Sequence, residues 1–241
     1  MNFVEKLAAR GTDNNNQPVP AIAFLGDSVT QGCFEIVTNA RNEIVPIFDQ
    51  GAAYETYLAR IFSVLYPNAP VTIINAGISG SSAQQGLCRL ERDVLRYKPD
   101  LTVVCFALND CVAGTDEITA YEQALHDIFS RLLDAGSEVI FMTPNMMATE
   151  VDQRIETGEI RVAAELCSQM QNSGVLDAYI HAAKKLCREM DIPVCDCYGT
   201  WKQLNRIGVD TNALLSNQIN HPTRQMNWLF AFELAKTILG L

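Results

Sequence analysis

A serine hydroxyl attacks a carbonyl only when a base takes its proton and donors hold the oxyanion that forms. Gly26-Asp27-Ser28 stops the apolar run Ala21-Ile22-Ala23-Phe24-Leu25 and leaves Ser28 in a turn at its end. Three histidines are available as a base. His126, beside Asp127, and His181, before Lys184 and Lys185, fall inside helical segments and read as ordinary solvated positions. His221 lies instead in the polar loop Ser216-Asn217-Gln218-Ile219-Asn220-His221-Pro222. Pro222 biases the residue before it toward extended geometry, which helps hold the imidazole. Elimination makes His221 the base for Ser28.

These residues need a frame. Four further runs resemble the first: Val71-Thr72-Ile73-Ile74-Asn75, Leu101-Thr102-Val103-Val104-Cys105-Phe106, Glu138-Val139-Ile140-Phe141-Met142 and Pro193-Val194-Cys195. They lack polar alternation, as strands covered on both faces should. Helical periodicity separates them, over Tyr54 to Tyr66, Ser82 to Tyr97, Asp116 to Leu133 and Ser173 to Met190, and again over Thr223 to Leu239. The alternation predicts one α/β domain over residues 1–241, a parallel five-stranded sheet between helical layers. Asn14-Asn15-Asn16-Gln17-Pro18 reads as a mobile lead-in. Residues 145–172 exceed a minimal connection, although Arg161 to Met170 has helical character, and such an insertion at a strand's C-terminal edge suits a substrate pocket.

Ligands of open parallel sheets sit beyond the carboxyl ends of the strands. Ser28, Gly77 and Asn109 each follow a strand there. Taken singly, each also fits turn chemistry or a helix cap.

Composition narrows the partners. The 241 residues are 48% hydrophobic and 19% charged, enough for a large core. A net charge of −10 disfavours phosphate backbones, so no nucleic-acid partner is expected; a neutral small molecule is compatible. No apolar run approaches the ~20 residues of a membrane span, and Met1-Asn2-Phe3-Val4-Glu5-Lys6 carries no secretory pattern. The eight cysteines read as reduced core thiols, and Cys195-Asp196-Cys197 lacks the rest of a zinc set. The expected compartment is cytoplasmic, with no metal and no cofactor.

Gly26-Asp27-Ser28, Gly77, Asn109-Asp110 and His221-Pro222, in this order, resemble the SGNH hydrolases, also called GDSL lipases and esterases. The resemblance extends from Ala21 to the C-terminal helix. It implies a flavodoxin-like three-layer αβα sandwich and a serine esterase acting through an acyl-enzyme on Ser28. It also implies an oxyanion hole made by the Ser28 and Gly77 main-chain N–H groups and the Asn109 side-chain amide, with His221 as base. Small carboxylic esters, including O-acetyl groups on carbohydrate, are the implied substrates.

Two positions depart from the family pattern. Ala107 stands where glycine is usual before the Asn-Asp pair, which predicts tightened geometry. Gln218 stands where the triad acid is usual, three residues before the histidine. A Ser-His dyad is therefore expected, steadied by Gln218 or a main-chain carbonyl of its loop, with Asp210 as an alternative acid. Asp27, Asp110 and Asp196 read as structural. Val29, Cys33, Phe34, Asn145 and Met146, with Met147, would line a small apolar acyl pocket; for Met146 and Met147 the alternative is packing under the loop. Two other function classes fit parts of the pattern: an SGNH-fold protein that binds acylated sugars without turnover, motivated by Gln218, and a nucleotide-binding flavodoxin-like module. The turn from Gly26 to Gly32 lacks the ending of a P-loop.

Overall fold

The computed structural model describes residues 2–41, 43–155 and 158–241, so Glu156 and Thr157 of the predicted insertion lie outside the described residues. The strands are β1 (Ala21–Gly26), β2 (Cys33–Thr38), β3 (Ile44–Phe48), β4 (Thr72–Gly77), β5 (Leu101–Cys105), β6 (Glu138–Met142) and β7 (Val194–Cys195). The helices are α1 (Phe3–Thr12), α2 (Ser28–Gln31), α3 (Tyr54–Leu65), α4 (Ala83–Asp93), α5 (Ile118–Asp134), α6 (Glu159–Asn172), α7 (Val175–Glu189), α8 (Cys197–Arg206) and α9 (Asn227–Leu239).

Five strands form one parallel sheet in the order β4-β1-β5-β6-β7. β1 lies inside the sheet, and its residues Ile22 to Leu25 are fully buried, which is why the sequence there is an unbroken apolar run. Helix α3 packs with α9, while α4, α5 and α7 pack in succession, giving the three αβα layers expected. The chain moves outward from β1 to β4 in one direction and to β5, β6 and β7 in the other. The direction of winding therefore reverses beside β1, where a crevice opens at the carboxyl edge of such sheets.

Each of the five predicted strands is present, with ends shifted by no more than two residues. The periodic segments also form helices, and the one around 161–170 becomes α6. Helices α1, α2 and α8 and strands β2 and β3 go beyond the sequence expectation. Helix α1, capped by Asn2 and anchored through buried Phe3 and Leu7, precedes the Asn14 to Pro18 segment. Helix α8 starts at an Asp196 cap. Strands β2 and β3 form a separate antiparallel hairpin directly after the Ser28 turn.

Arg89 ties the sheet edge together. Its guanidinium donates to the Gly26 and Ala76 carbonyls, which end β1 and β4. The Gly26 oxygen also accepts the Ile78 N–H, so the buried cation adds a charge-assisted donor at the carboxyl edge of the sheet.

Candidate functional site

Asp27 caps the single-turn helix α2, its Oδ1 accepting the Val29 N–H at 2.9 Å. Gly32 ends that turn at φ 81°, a left-handed conformation that glycine adopts without a Cβ penalty. Gly26 admits no side chain, because a Cβ would lie 2.0 Å from Thr30 Oγ1. Ser28 is thus fixed at the first position of the turn. Its N–H is among those with no intrahelical acceptor.

Ser28 Oγ lies 2.9 Å from His221 Nε2 across a sequence separation of 193 residues. The loop that brings His221 there is held from within. Asn217 Oδ1 accepts the N–H groups of Ile219, Asn220 and His221 at 2.9–3.0 Å, and Ser216 N–H donates to the His221 carbonyl at 2.8 Å. Asn145 Nδ2 donates to the Asn220 carbonyl at 2.8 Å.

The imidazole Nδ1–H donates to the main-chain oxygen of Phe34, 3.1 Å away on β2. That donation leaves Nε2 as the acceptor facing Ser28. The same oxygen accepts the Ser216 hydroxyl at 2.7 Å. Burial holds the His221 pKa down at about 4, with the Phe34 carbonyl and the charge of Glu35 opposing the shift. The imidazole is therefore neutral, and able to accept a proton, at pH 7.

The expected partner of Nδ1 needs correction. Gln218 sits at φ 58°, and its Nε2 donates to the Leu215 carbonyl at 2.8 Å, within its own loop. The left-handed turn aims the amide along the loop, and the acceptor comes from the β2 hairpin instead. Nor does Asp210 supply an acid to His221: its Oδ1 accepts the N–H groups of Asn212 and Ala213.

Asn109 follows β5, and its Nδ2 donates to the Ser81 carbonyl at 3.0 Å, joining it to the loop after β4. Asp110 Oδ1 accepts the Ala83 N–H at the start of α4. Burial pushes Asp27 up to about 7 and Asp110 up to about 6. Asp196 caps α8 and pairs with Lys184, well away from His221 in its contacts. Ala107 adopts φ 150°, a value that L-residues rarely take, so the predicted tightening is backbone strain, of order 1–3 kcal/mol by general experience.

Gly77 is close to the turn for a different reason from the one expected. Its N–H donates to Asn75 Oδ1 at 2.9 Å, so it is already engaged. A Cβ there would meet Gln31 N at 2.3 Å, and the missing side chain lets α2 lie against the end of β4. Gly80, three residues on, is exposed at φ 77°, and among the described residues nothing accepts its N–H. It precedes Ser81, whose carbonyl meets Asn109. Sequence reading missed Gly80 because two glycines stand in Gly77-Ile78-Ser79-Gly80, and only the first ends the strand.

The residues expected to line an acyl pocket are deeply buried. Val29, Cys33, Phe34, Asn145 and Met146 are all at most 3% exposed, as buried as Ser28 and His221 themselves. Each stands beside an element the site depends on, which buries it. Asn109 borders a cleft of about 480 Å³, together with Ser82, Gln84, Ala113, Glu117 and Ala120. The start of the predicted insertion, Glu150 to Arg154, borders a separate cavity of about 630 Å³ with Asp210, Asn212 and Gln218.

The model of the GDSL-like lipase/acylhydrolase family matches residues 24–229. The chain belongs to that family. Among relatives of this GDSL-like protein, an acetylxylan esterase of Geobacillus stearothermophilus is 27% identical over 133 residues, 51% of this chain and 58% of that protein. An arylesterase of Vibrio mimicus is 26% identical over 117 residues, 46% of this chain and 58% of that protein. The match thus spans less than two thirds of either relative. An acetyl-xylooligosaccharide esterase from Geobacillus superposes with a TM-score of 0.66 at 21% identity, covering 91% of this chain and 94% of that one. A lipase/acylhydrolase from Enterococcus faecalis gives 0.66 at 20% identity, covering 92% and 96%. At these identities the structural likeness speaks for the fold of the GDSL-like family. Among the described residues, no helix is long and apolar enough to cross a membrane.

Proposed function

We propose that this protein is a carboxylic-ester hydrolase acting on small acyl esters, with acetylated carbohydrate as its substrate class. The observation that carries the reading is the 2.9 Å contact between Ser28 Oγ and a buried imidazole whose other nitrogen is committed to the Phe34 carbonyl. A neutral base with a fixed tautomer, hydrogen-bonded to a hydroxyl at a helix start, is what acyl transfer requires.

In the first half-reaction Ser28 Oγ bonds to the acyl carbon as its proton passes to His221 Nε2. The carbonyl electrons move onto oxygen. The Ser28 N–H, the Asn109 amide and the Gly80 N–H are the donors proposed to hold that oxyanion, with Gly80 taking the role expected of Gly77. Collapse expels the alcohol, which leaves with the proton from His221. Water then repeats the sequence against the acyl-enzyme, releasing the acid and restoring Ser28.

The cleft bordered by Asn109 is far larger than the methyl of an acetyl group, so it suits the alcohol half. Its Ser82, Gln84 and Glu117 side chains offer hydroxyl, amide and carboxylate partners for sugar hydroxyls, while Ala113 and Ala120 offer apolar contact. The acetylxylan esterase among the relatives supports acetylated carbohydrate, and the arylesterase supports ester hydrolysis more broadly. Treatment with a fluorophosphonate followed by peptide mass spectrometry tests the nucleophile. The expected adduct is on Ser28; an unlabelled Ser28 in folded protein removes the reading and favours a binding role without turnover.

A further inference from the structure

The residue that stands in for the missing triad acid is a main-chain carbonyl, and a carbonyl can orient an imidazole only if its own peptide is held. Phe34 lies on the β2–β3 hairpin, which is outside the five-stranded sheet and so lacks the support of central strands. The hairpin's outer surface is open to solvent: Val37, Ile44, Ile47 and Phe48 are each more than a third exposed. Something else must fix it against the His221 loop.

Arg224, three residues after His221, makes that connection. Its Nη1 donates to Glu35 Oε1 at 2.6 Å and its Nη2 to Glu35 Oε2 at 3.1 Å, a two-pronged pair with the residue next to Phe34. Its Nε donates to Asp49 Oδ2 at 2.9 Å, just beyond β3 at the base of the hairpin. Its guanidinium carbon stands 4.4 Å from the centroid of the Phe34 ring. One planar cation thus links both strands at the base of the hairpin and covers the side chain of the residue whose carbonyl receives His221 Nδ1–H. The Asp49 N–H closes the hairpin base on the Gly32 carbonyl at 2.8 Å, so the clamp also reaches the end of the Ser28 turn.

We propose that Arg224 is a positioning residue for the catalytic base, holding the Phe34 carbonyl where a triad carboxylate would otherwise stand. The inference rests on the reading of His221 as the base for Ser28. An ammonium cannot replace Arg224, because the site uses a fork toward one carboxylate, a third donor toward another and a flat face on a ring. About a third of the Arg224 side chain is exposed, and ion pairs of that exposure add little to stability. Its effect is on geometry. Misplacement of a catalytic group by about 1 Å can cost on the order of 100-fold in rate.

The test compares wild type, Arg224→Met and Arg224→Lys with 4-nitrophenyl acetate, with kcat normalised to folded protein by circular dichroism. Arg224→Met is expected to lose about 10- to 100-fold in kcat, with KM changed by less than about 2-fold, since Arg224, Glu35 and Asp49 do not border the cleft proposed for the alcohol half. Arg224→Lys is expected to remain impaired. Unchanged kcat in Arg224→Met, a loss that appears in KM instead, or full recovery by lysine overturns the proposal. An inactive wild type with an unlabelled Ser28 would instead remove the esterase reading on which it stands.

Discussion

The Nδ1–H of His221 donates to the main-chain oxygen of Phe34 over 3.1 Å, and no carboxylate takes its place. A carbonyl fixes the tautomer as a carboxylate does, but brings only a partial charge. Burial of the imidazole is then left to dominate its titration.

Gln218→Asp is the substitution that would rebuild the usual family spacing. In this chain the side chain at 218 points along its own loop toward Leu215. The expected result is no gain in kcat, and a change within about 3-fold; a rise of about 10-fold or more in steady-state assays would mean that the loop can turn an acid toward the imidazole.

The acid limb of activity follows from His221. With a pKa near 4 in the free protein, the base stays unprotonated well below the ordinary histidine range. The pH profile of kcat/KM should remain flat from pH 8 to about pH 5 and fall below that. A midpoint near the ordinary 6.5 would show that His221 is solvated in the working enzyme.

Asn109 and Gly77 should fail in different ways. Asn109→Ala is expected to lower kcat by about 10²–10³ with the fold intact, as loss of an oxyanion donor does. Gly77→Ala forces a methyl against the main chain of α2, 2.3 Å from Gln31 N. It is expected to destabilise by about 1–3 kcal/mol or more, seen as a lowered Tm in thermal melts. A stable Gly77→Ala with only a kinetic defect would return that N–H to the oxyanion hole.

Stability should rise on mild acidification. Burial raises Asp27 to about 7, Glu55 to about 7 and Asp110 to about 6, so these three carboxyls hold protons in the fold that they release when unfolded. Their contribution is complete below the unfolded carboxyl range near 4 and is lost as pH climbs through 6 to 7. His221 acts oppositely: its folded pKa is depressed, so its contribution is present above about 6.5 and lost as pH falls toward 4. Three groups outweigh one. The expected Tm is higher at pH 5.5 than at pH 8, by about 5 °C; a Tm that falls between pH 8 and pH 5.5 contradicts the burial of these acids.

What the sequence disclosed tracks how local the cause was. The five sheet strands are apolar because they are covered on both faces, and that pattern is written in consecutive residues. Ser28 and His221 could be paired from residue type and chain order, since His126 and His181 lie on exposed helical positions. The Phe34 carbonyl was invisible because any residue carries one; only the hairpin's path over the His221 loop selects it. Gly77 was preferred to Gly80 because strand ends can be read from a sequence, whereas the engagement of an N–H by Asn75 cannot. Closeness in sequence to Ser28 and to the end of β6 marks residues that are buried as deeply as Ser28 and His221, and says nothing of which of them faces a substrate.

The most direct test of the esterase reading is the rate of 4-nitrophenyl acetate hydrolysis by Ser28→Ala against wild type, at equal concentrations of folded protein. Loss of the nucleophile should lower kcat by about 10³-fold or more. Hydrolysis by Ser28→Ala at the wild-type rate would contradict the assignment of Ser28 and His221 as the reacting pair.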